Sequence, residues 1–323
     1  TGSDMAKYRD HLPQCDGDFF LTDGGLETTL VYHDGIELPH FAAFDLLASK
    51  PGRQRLRDYF DPYVDLAREA GAGFILESPT WRANADWGKR LGYSAASLAA
   101  RNREAIDLMH EVREAHEGDG LPIVISGCIG PRGDGYIPGE EMSPMAAATY
   151  HAPQIEAFAE AGADMVTGLT ATNMNEAIGI VDAAQAAGMP VAISFTVETD
   201  GRLPTGHSLW DAIAAIDIAT HEAAAYFMIN CAHPTHFRET LRRGGTSLRR
   251  LRGLRANASC MSHEELDDAE ELDTGNPEEL GRQHAELLSL FPSITILDGC
   301  CGTDLRHIEH ISRAGQRLLK KAA

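Results

Sequence analysis

Eight short apolar runs, each bounded by turn residues and separated by helix-spaced stretches, constrain this chain more than any other feature. They begin at Phe19–Thr22, Gly73–Leu76, Pro122–Ser126 and Asp164–Val166. They continue at Val191–Phe195, Tyr226–Asn230, Leu251–Ala256 and Ile294–Leu297. Short β-branched runs that are apolar throughout, rather than alternating, suit strands buried on both faces, as in parallel sheets. Between them, Arg53–Ala70 places Leu56, Tyr59, Phe60, Tyr63 and Ala67 on one helical face. Helical spacing recurs over 94–117, 143–161, 173–187, 208–224, 277–290 and 304–320, with Gly71 and Gly188 as stop signals. Eight strand-then-helix units over this length predict a (β/α)₈ TIM barrel. An open doubly wound sheet is the competing arrangement, but no G-x-G-x-x-G follows the first strand.

No linker rich in Pro, Ser or charge divides the sequence, so residues 17–323 read as one barrel domain and 1–16 as a lead-in. Thr1 to Asp4 read as a cloning scar, with Met5 the expected natural start. A formal net charge of −20 argues against nucleic acid as a partner. No apolar run approaches the ~20 residues that cross a bilayer, and no signal-peptide layout opens the chain. A cytoplasmic protein is therefore expected, its oligomeric state open. Six cysteines are too sparse for a disulfide framework; in a reducing compartment, clustered cysteines point to metal or catalysis.

The cluster is DGCCGTD, Asp298 to Asp304, directly after the eighth apolar run. Neighbours in a strand point to opposite faces, so Cys300 and Cys301 act together only if the backbone turns there, which Gly299 and Gly302 permit. Alone, such a pair is buried filler, a vicinal disulfide or two metal thiolates. Reading the strand ends of the expected barrel adds Asp23, Glu77 and Ser78, Cys128, Thr170, Thr196, Cys231 and Asn257 to the same mouth. Three cysteines then come from strands 6 and 8. Three thiolates plus one open position is the donor set of a catalytic zinc, and a thiol entering that position loses its proton.

Asp23-Gly24-Gly25-Leu26, Ile229-Asn230-Cys231 and Gly299-Cys300-Cys301-Gly302-Thr303 resemble the homocysteine S-methyltransferase family. Gly130-Pro131, Ala161-Gly162-Ala163-Asp164, Ser194-Phe195-Thr196 and Asn257 extend the resemblance over nearly the whole chain from about Asp18. It implies a zinc barrel in which Cys231, Cys300 and Cys301 hold the metal. It also implies a thiol that takes a methyl group from a sulfonium or quaternary ammonium donor by direct displacement. Asp23 and Glu77 would orient the acceptor's amino group, with Thr170 and Asn257 supporting the site. The departures are specific. Leu169-Thr170 stands where relatives carry Glu-Thr, whose glutamate helps hold homocysteine's amino group, and Glu27 and Thr29 replace a small residue and a glutamate. Either Glu77 substitutes for the lost carboxylate, or the acceptor is another thiol or selenol.

Two other readings stay open: a zinc barrel that activates water for hydrolase or lyase chemistry with Glu77 as base, and a non-catalytic thiol- or metal-binding homologue. Among the remaining candidates, Cys128 reads as filler and Cys260 and Cys15 as non-ligands. His233 is a possible but surplus ligand. His110, His207, His284 and His307 read as solvated. Trp81 reads as a rim or core aromatic rather than a cation–π platform, the acidic run from Glu264 to Asp273 as a solvated face, and Pro131–Pro144 as a loop able to cover the mouth.

Overall fold

The computed structural model describes residues 6–322 apart from Glu117 and Asp119, so the scar expected at Thr1–Asp4, Met5 and the expected helix end at Glu117 lie outside the described residues. Eight parallel strands close into a barrel in chain order, each hydrogen-bonded to its sequence neighbours. They are β1 (Phe20–Leu21), β2 (Gly73–Glu77), β3 (Ile123–Ile129), β4 (Met165–Ala171), β5 (Val191–Thr196), β6 (Tyr226–Asn230), β7 (Leu251–Ala256) and β8 (Ile296–Gly299). The seam is β1 against β8, with Phe20 opposite Ile296 and Leu21 opposite Leu297. The TIM barrel expected from the sequence is the fold observed.

Among the described residues, eight α-helices of 9 residues or more surround it: α1 (Lys50–Ala70), α2 (Ala95–Ala115), α3 (Pro144–Glu160), α4 (Met174–Ala186), α5 (Leu209–Thr220), α6 (Pro234–Arg242), α7 (Pro277–Leu290) and α8 (Leu305–Ala322). Ser49, Ser94, Ser143, Asn173, Ser208 and Asn276 cap six of them, each side chain accepting from a first-turn N–H. The Ser49 cap starts α1 at Lys50, ahead of its first periodic residue. The reading named no helix between β6 and β7. There α6 is short and charged, and apart from its first residue buries only Phe237 and Leu241, too few apolar positions to register as a period.

Alternation along each strand sorts side chains into two cores. Leu21, Phe74, Leu76, Ile123 and Leu297 face the helices in one continuous cluster. Phe20, Ile75, Val124, Met165, Tyr226 and Ile296 fill the barrel floor, where Leu12 of the lead-in joins them. Gln14 reaches the same interior, 3.4 Å from the Tyr226 hydroxyl. Buried Asp164 fastens the floor by accepting from the Lys7 and Tyr8 N–H groups, the Ile125 N–H and the Arg113 guanidinium, at 2.6 to 2.9 Å. Above the floor the interior turns polar. Ser126 meets Thr167 at 2.8 Å, Ser194 donates to Asn230 at 2.7 Å, and Thr22 donates to Asp298 at 2.6 Å. Among the described residues no helix is long and apolar enough to cross a membrane.

Candidate functional site

At the C-terminal end of the barrel, β8 stops at Gly299 and the chain turns through Cys300, Cys301 and Gly302, the last with φ +78°. The turn is locked from several sides. Thr303 Oγ1 donates to the Cys300 carbonyl at 2.6 Å and accepts from the Gly25 N–H at 3.1 Å. Cys300 N–H donates to Ala256 O at 2.8 Å, and Ala258 N–H donates to Cys301 O at 3.0 Å. A Cβ on Gly299 would lie 2.2 Å from Thr303 Oγ1, so only glycine fits there.

Cys231 follows β6 in the left-handed region, φ +52°, which a non-glycine residue enters only when its surroundings hold it. Its N–H donates to Arg255 O at 3.1 Å, and its carbonyl lies 2.8 Å from His263 Nε2. The three sulfurs of Cys231, Cys300 and Cys301 lie within 4.8 Å of one another. Cys231 and Cys300 are paired as a disulfide with Cα atoms 5.4 Å apart, and Cys301 Sγ is 3.9 Å from Cys231 Sγ. Two neutral donors face the cluster: the Tyr136 hydroxyl, 3.3 Å from Cys301 Sγ, and Asn230 Nδ2, 3.9 Å from Cys300 Sγ.

Two chambers meet at these sulfurs. The inner one, about 100 Å³, is lined by Asp23, Glu27, Glu77, Leu169, Thr170, Arg255 and the cysteines, among others. The outer one, about 240 Å³, opens above it between Trp81, Arg82, Tyr136 and the 266–273 segment. Asp23 is already held, accepting from Arg255 Nη2 at 2.9 Å and the Tyr59 hydroxyl at 3.0 Å. Arg255 also lies 3.5 Å from Asp298; against the pull of burial, Asp23 and Asp298 hold its pKa well above the usual value. Burial pushes Asp298 up to about 8.

Glu77 differs from Asp23. It is 7% exposed and its Oε2 has no hydrogen-bond partner; burial raises it to about 7, with Arg255 opposing. Glu27 is also raised to about 7 by burial. Thr170 has φ +60° at an irregularity between β4 and β5, and Asn230 grips it twice, accepting from its N–H at 3.0 Å and donating to its hydroxyl at 2.9 Å. Asn257 is buried but lines neither chamber; its side chain lies against the Tyr136 hydroxyl.

Several residues differ from the sequence reading. His110, His284 and His307 are buried rather than solvated, each ring bonded to a backbone carbonyl (Ala161, Leu280 and Thr274). A histidine on a helix facing its neighbour carries no sequence mark of burial. His233 caps α6, accepting from the Thr235 N–H, and stands outside the sulfur cluster. The acidic run is a solvated face as read, with Asp267 and Glu271 exposed, and these two together with Asp273 also line the outer chamber. Cys128 is buried and borders the inner chamber, and the 131–144 loop covers the mouth through Asp134, Gly135 and Tyr136. The reading missed Arg255, Asn230 and Tyr136. Asn230 adjoins Cys231 in sequence, but nothing local marks Tyr136, 165 residues before the sulfur it touches.

The sequence profile of homocysteine S-methyltransferases matches residues 20–315. The chain belongs to the homocysteine S-methyltransferase family. It is an S-methyltransferase that moves a methyl group to a thiol. No curated protein sequence matches it. Among solved structures it is similar to the homocysteine methyltransferase MmuM from Escherichia coli. Its oxidized form is 20% identical with a TM-score of 0.71, covering 95% of this chain and 96% of that one. The metallated form is 19% identical with a TM-score of 0.69, covering 93% and 98%. At such identities the likeness shows the shared barrel; the chemistry rests on family membership and on the site.

Proposed function

We propose that this family member transfers a methyl group from a sulfonium or quaternary ammonium donor to homocysteine or a closely related thiol or selenol, with a zinc ion held by Cys231, Cys300 and Cys301. The observation that carries the reading is the convergence of three sulfurs, from the ends of β6 and β8, where two chambers meet. The donor set fits zinc: three thiolates, with room for a fourth ligand from the inner chamber. Bound there, the ion supplies Lewis acidity that keeps an entering thiol deprotonated at neutral pH. The Cys231–Cys300 pair has to be reduced for this, which accords with a cytoplasmic setting.

The protein's own groups do the rest. Tyr136 and Asn230 point neutral donors at Cys301 and Cys300 and so fix the sulfurs and temper their charge. Glu77, buried with an oxygen unpaired, takes the acceptor's ammonium in place of the carboxylate lost at Leu169. Asp23 supports it from its anchored position beside Arg255. Thr170, fixed by Asn230, shapes the chamber wall, and Asn257 acts through Tyr136.

A screen of several thiols against several onium donors, on reduced and zinc-loaded protein, tests the proposal. Transfer of labelled methyl to homocysteine or a related thiol is the expected result. Full zinc occupancy without transfer to any thiol would overturn it.

A further inference from the structure

The two chambers share Glu27, Thr28, Trp81, Thr170, Cys231 and Cys301, which therefore form the throat between them. With the acceptor thiol in the inner chamber, as proposed above, a donor entering through the outer one brings its positively charged carrier atom to this throat. What meets that charge is decided by which groups are already matched.

The arginines nearby are taken. Arg255 is paired with Asp23 and Asp298. Arg82 lies 3.6 Å from Asp134, donates to Gly133 O at 3.0 Å, and is stacked between the Trp81 and Trp87 rings at 4.0 and 3.9 Å. Trp81 is taken as well. Arg82 covers one face of its ring, and a Cβ on Gly130 or Gly135 would come within 2.9 Å of ring atoms, so the indole is hemmed in at its edges as well. Glu27 is only partly matched: Arg255 and Arg82 act on it through charge, but among the described residues no other residue donates a hydrogen bond to its carboxylate, which reaches only its own N–H. At the far end of the same space, Glu77 Oε2 is likewise buried without a donor. The cavity around the sulfurs thus holds carboxylate oxygens that no other residue's hydrogen bond satisfies, and Glu27 carries the part of them at the throat.

We infer that Glu27 is the subsite for the cationic, methyl-bearing centre of the donor, and that it selects donors by charge. In the transfer, the acceptor sulfur's electron pair forms the new S–CH₃ bond as the donor's C–S or C–N bond breaks. The bonding pair goes to the leaving atom, which departs as a neutral thioether or tertiary amine. Positive charge at the throat is therefore greatest before reaction, reduced in the transition state and absent afterwards. A carboxylate there strengthens donor binding and lets go of the product, and it gives the chemical step no help, opposing it slightly if anything.

Two measurements on E27Q decide this. With zinc-loaded protein, donor KM should rise about 10-fold or more, as expected for losing a charged partner. Acceptor KM should stay within about twofold, and kcat should not fall, since the interaction lost is stronger in the ground state than in the transition state. E27D should recover part of the donor KM. With metal-free protein, calorimetry should show weaker binding of tetramethylammonium to E27Q, and unchanged binding of the uncharged, similarly shaped tert-butanol. The inference is overturned if tetramethylammonium affinity is unchanged, if both probes weaken alike, or if acceptor KM moves instead of donor KM. A wild-type protein that transfers from no onium donor would count against the proposed function, and the binding comparison would still decide the role of Glu27.

Discussion

Asp164 and Glu77 are both buried carboxylates inside the same barrel, one at each end, and they are treated in opposite ways. At the floor, Asp164 accepts from three backbone N–H groups and from Arg113, so its carboxylate is fully engaged by the fold. At the mouth, Glu77 keeps an oxygen with no partner, Asp298 Oδ1 has none either, and Thr170 and Cys231 sit in left-handed backbone. One end spends its polar groups on holding the fold together. The other leaves charge, sulfur and strain unresolved, the condition in which a ligand has something to complete.

The comparison breaks most readily at the sulfurs. Cys300→Ala is expected to weaken zinc binding by more than about 100-fold, beyond what loss of a supporting group alone costs. Its thermal midpoint in the metal-free state should stay near that of the parent. Metal analysis after dialysis reads the first effect; zinc retained at full occupancy would remove Cys300 from the ligand set.

Asp164→Ala should do the reverse. It strips a buried arginine of its carboxylate and leaves three N–H groups without their acceptor, a loss of about 3–5 kcal/mol of stability. Denaturant unfolding measures this, and the fraction that remains folded should still take up zinc. Loss of less than about 1 kcal/mol would show that the floor is not anchored there.

Glu77→Gln sharpens the contrast through pH. Burial raises Glu77 to about 7 from an unfolded value near 4.5, so the unfolded chain gives up its proton first. Stability is fully present below the unfolded pKa and is lost as pH rises through about 7, by about 3 kcal/mol for this group. The glutamine variant should therefore gain on its parent between about pH 4.5 and 7 and hold that gain above, while its acceptor KM rises by about 10-fold. Parallel stability-versus-pH curves for variant and parent would contradict the assignment. The smallest effect is expected from Tyr136→Phe, which removes the hydroxyl facing Cys301 and should weaken zinc or lower turnover by about 10-fold or less.

The same division between ends explains what could be read from the sequence. Strands buried on both faces leave continuous apolar runs, so the eight-fold alternation and the convergence of Cys231 with Cys300 and Cys301 follow from residue order alone. What escaped depends on pairing at a distance. Arg255 weakens the apolar signal of β7 and gains meaning only from Asp23, just past β1, and Asp298, on β8. Tyr136 belongs to a loop with no periodicity, and its hydroxyl finds Cys301 only because the loop folds over the mouth. Glu27 appeared in the sequence as a departure from the family pattern, and its place at the throat needed the shape of both chambers.

The central claim is that three cysteines form one thiolate metal site with a position open to an incoming thiol. Cobalt substitution of the reduced protein addresses it directly. The account predicts one cobalt ion per chain, thiolate-to-metal absorption bands, and a further change in those bands on adding homocysteine. Protein that stays colourless after reduction and cobalt loading, or whose bands ignore every added thiol, would contradict it.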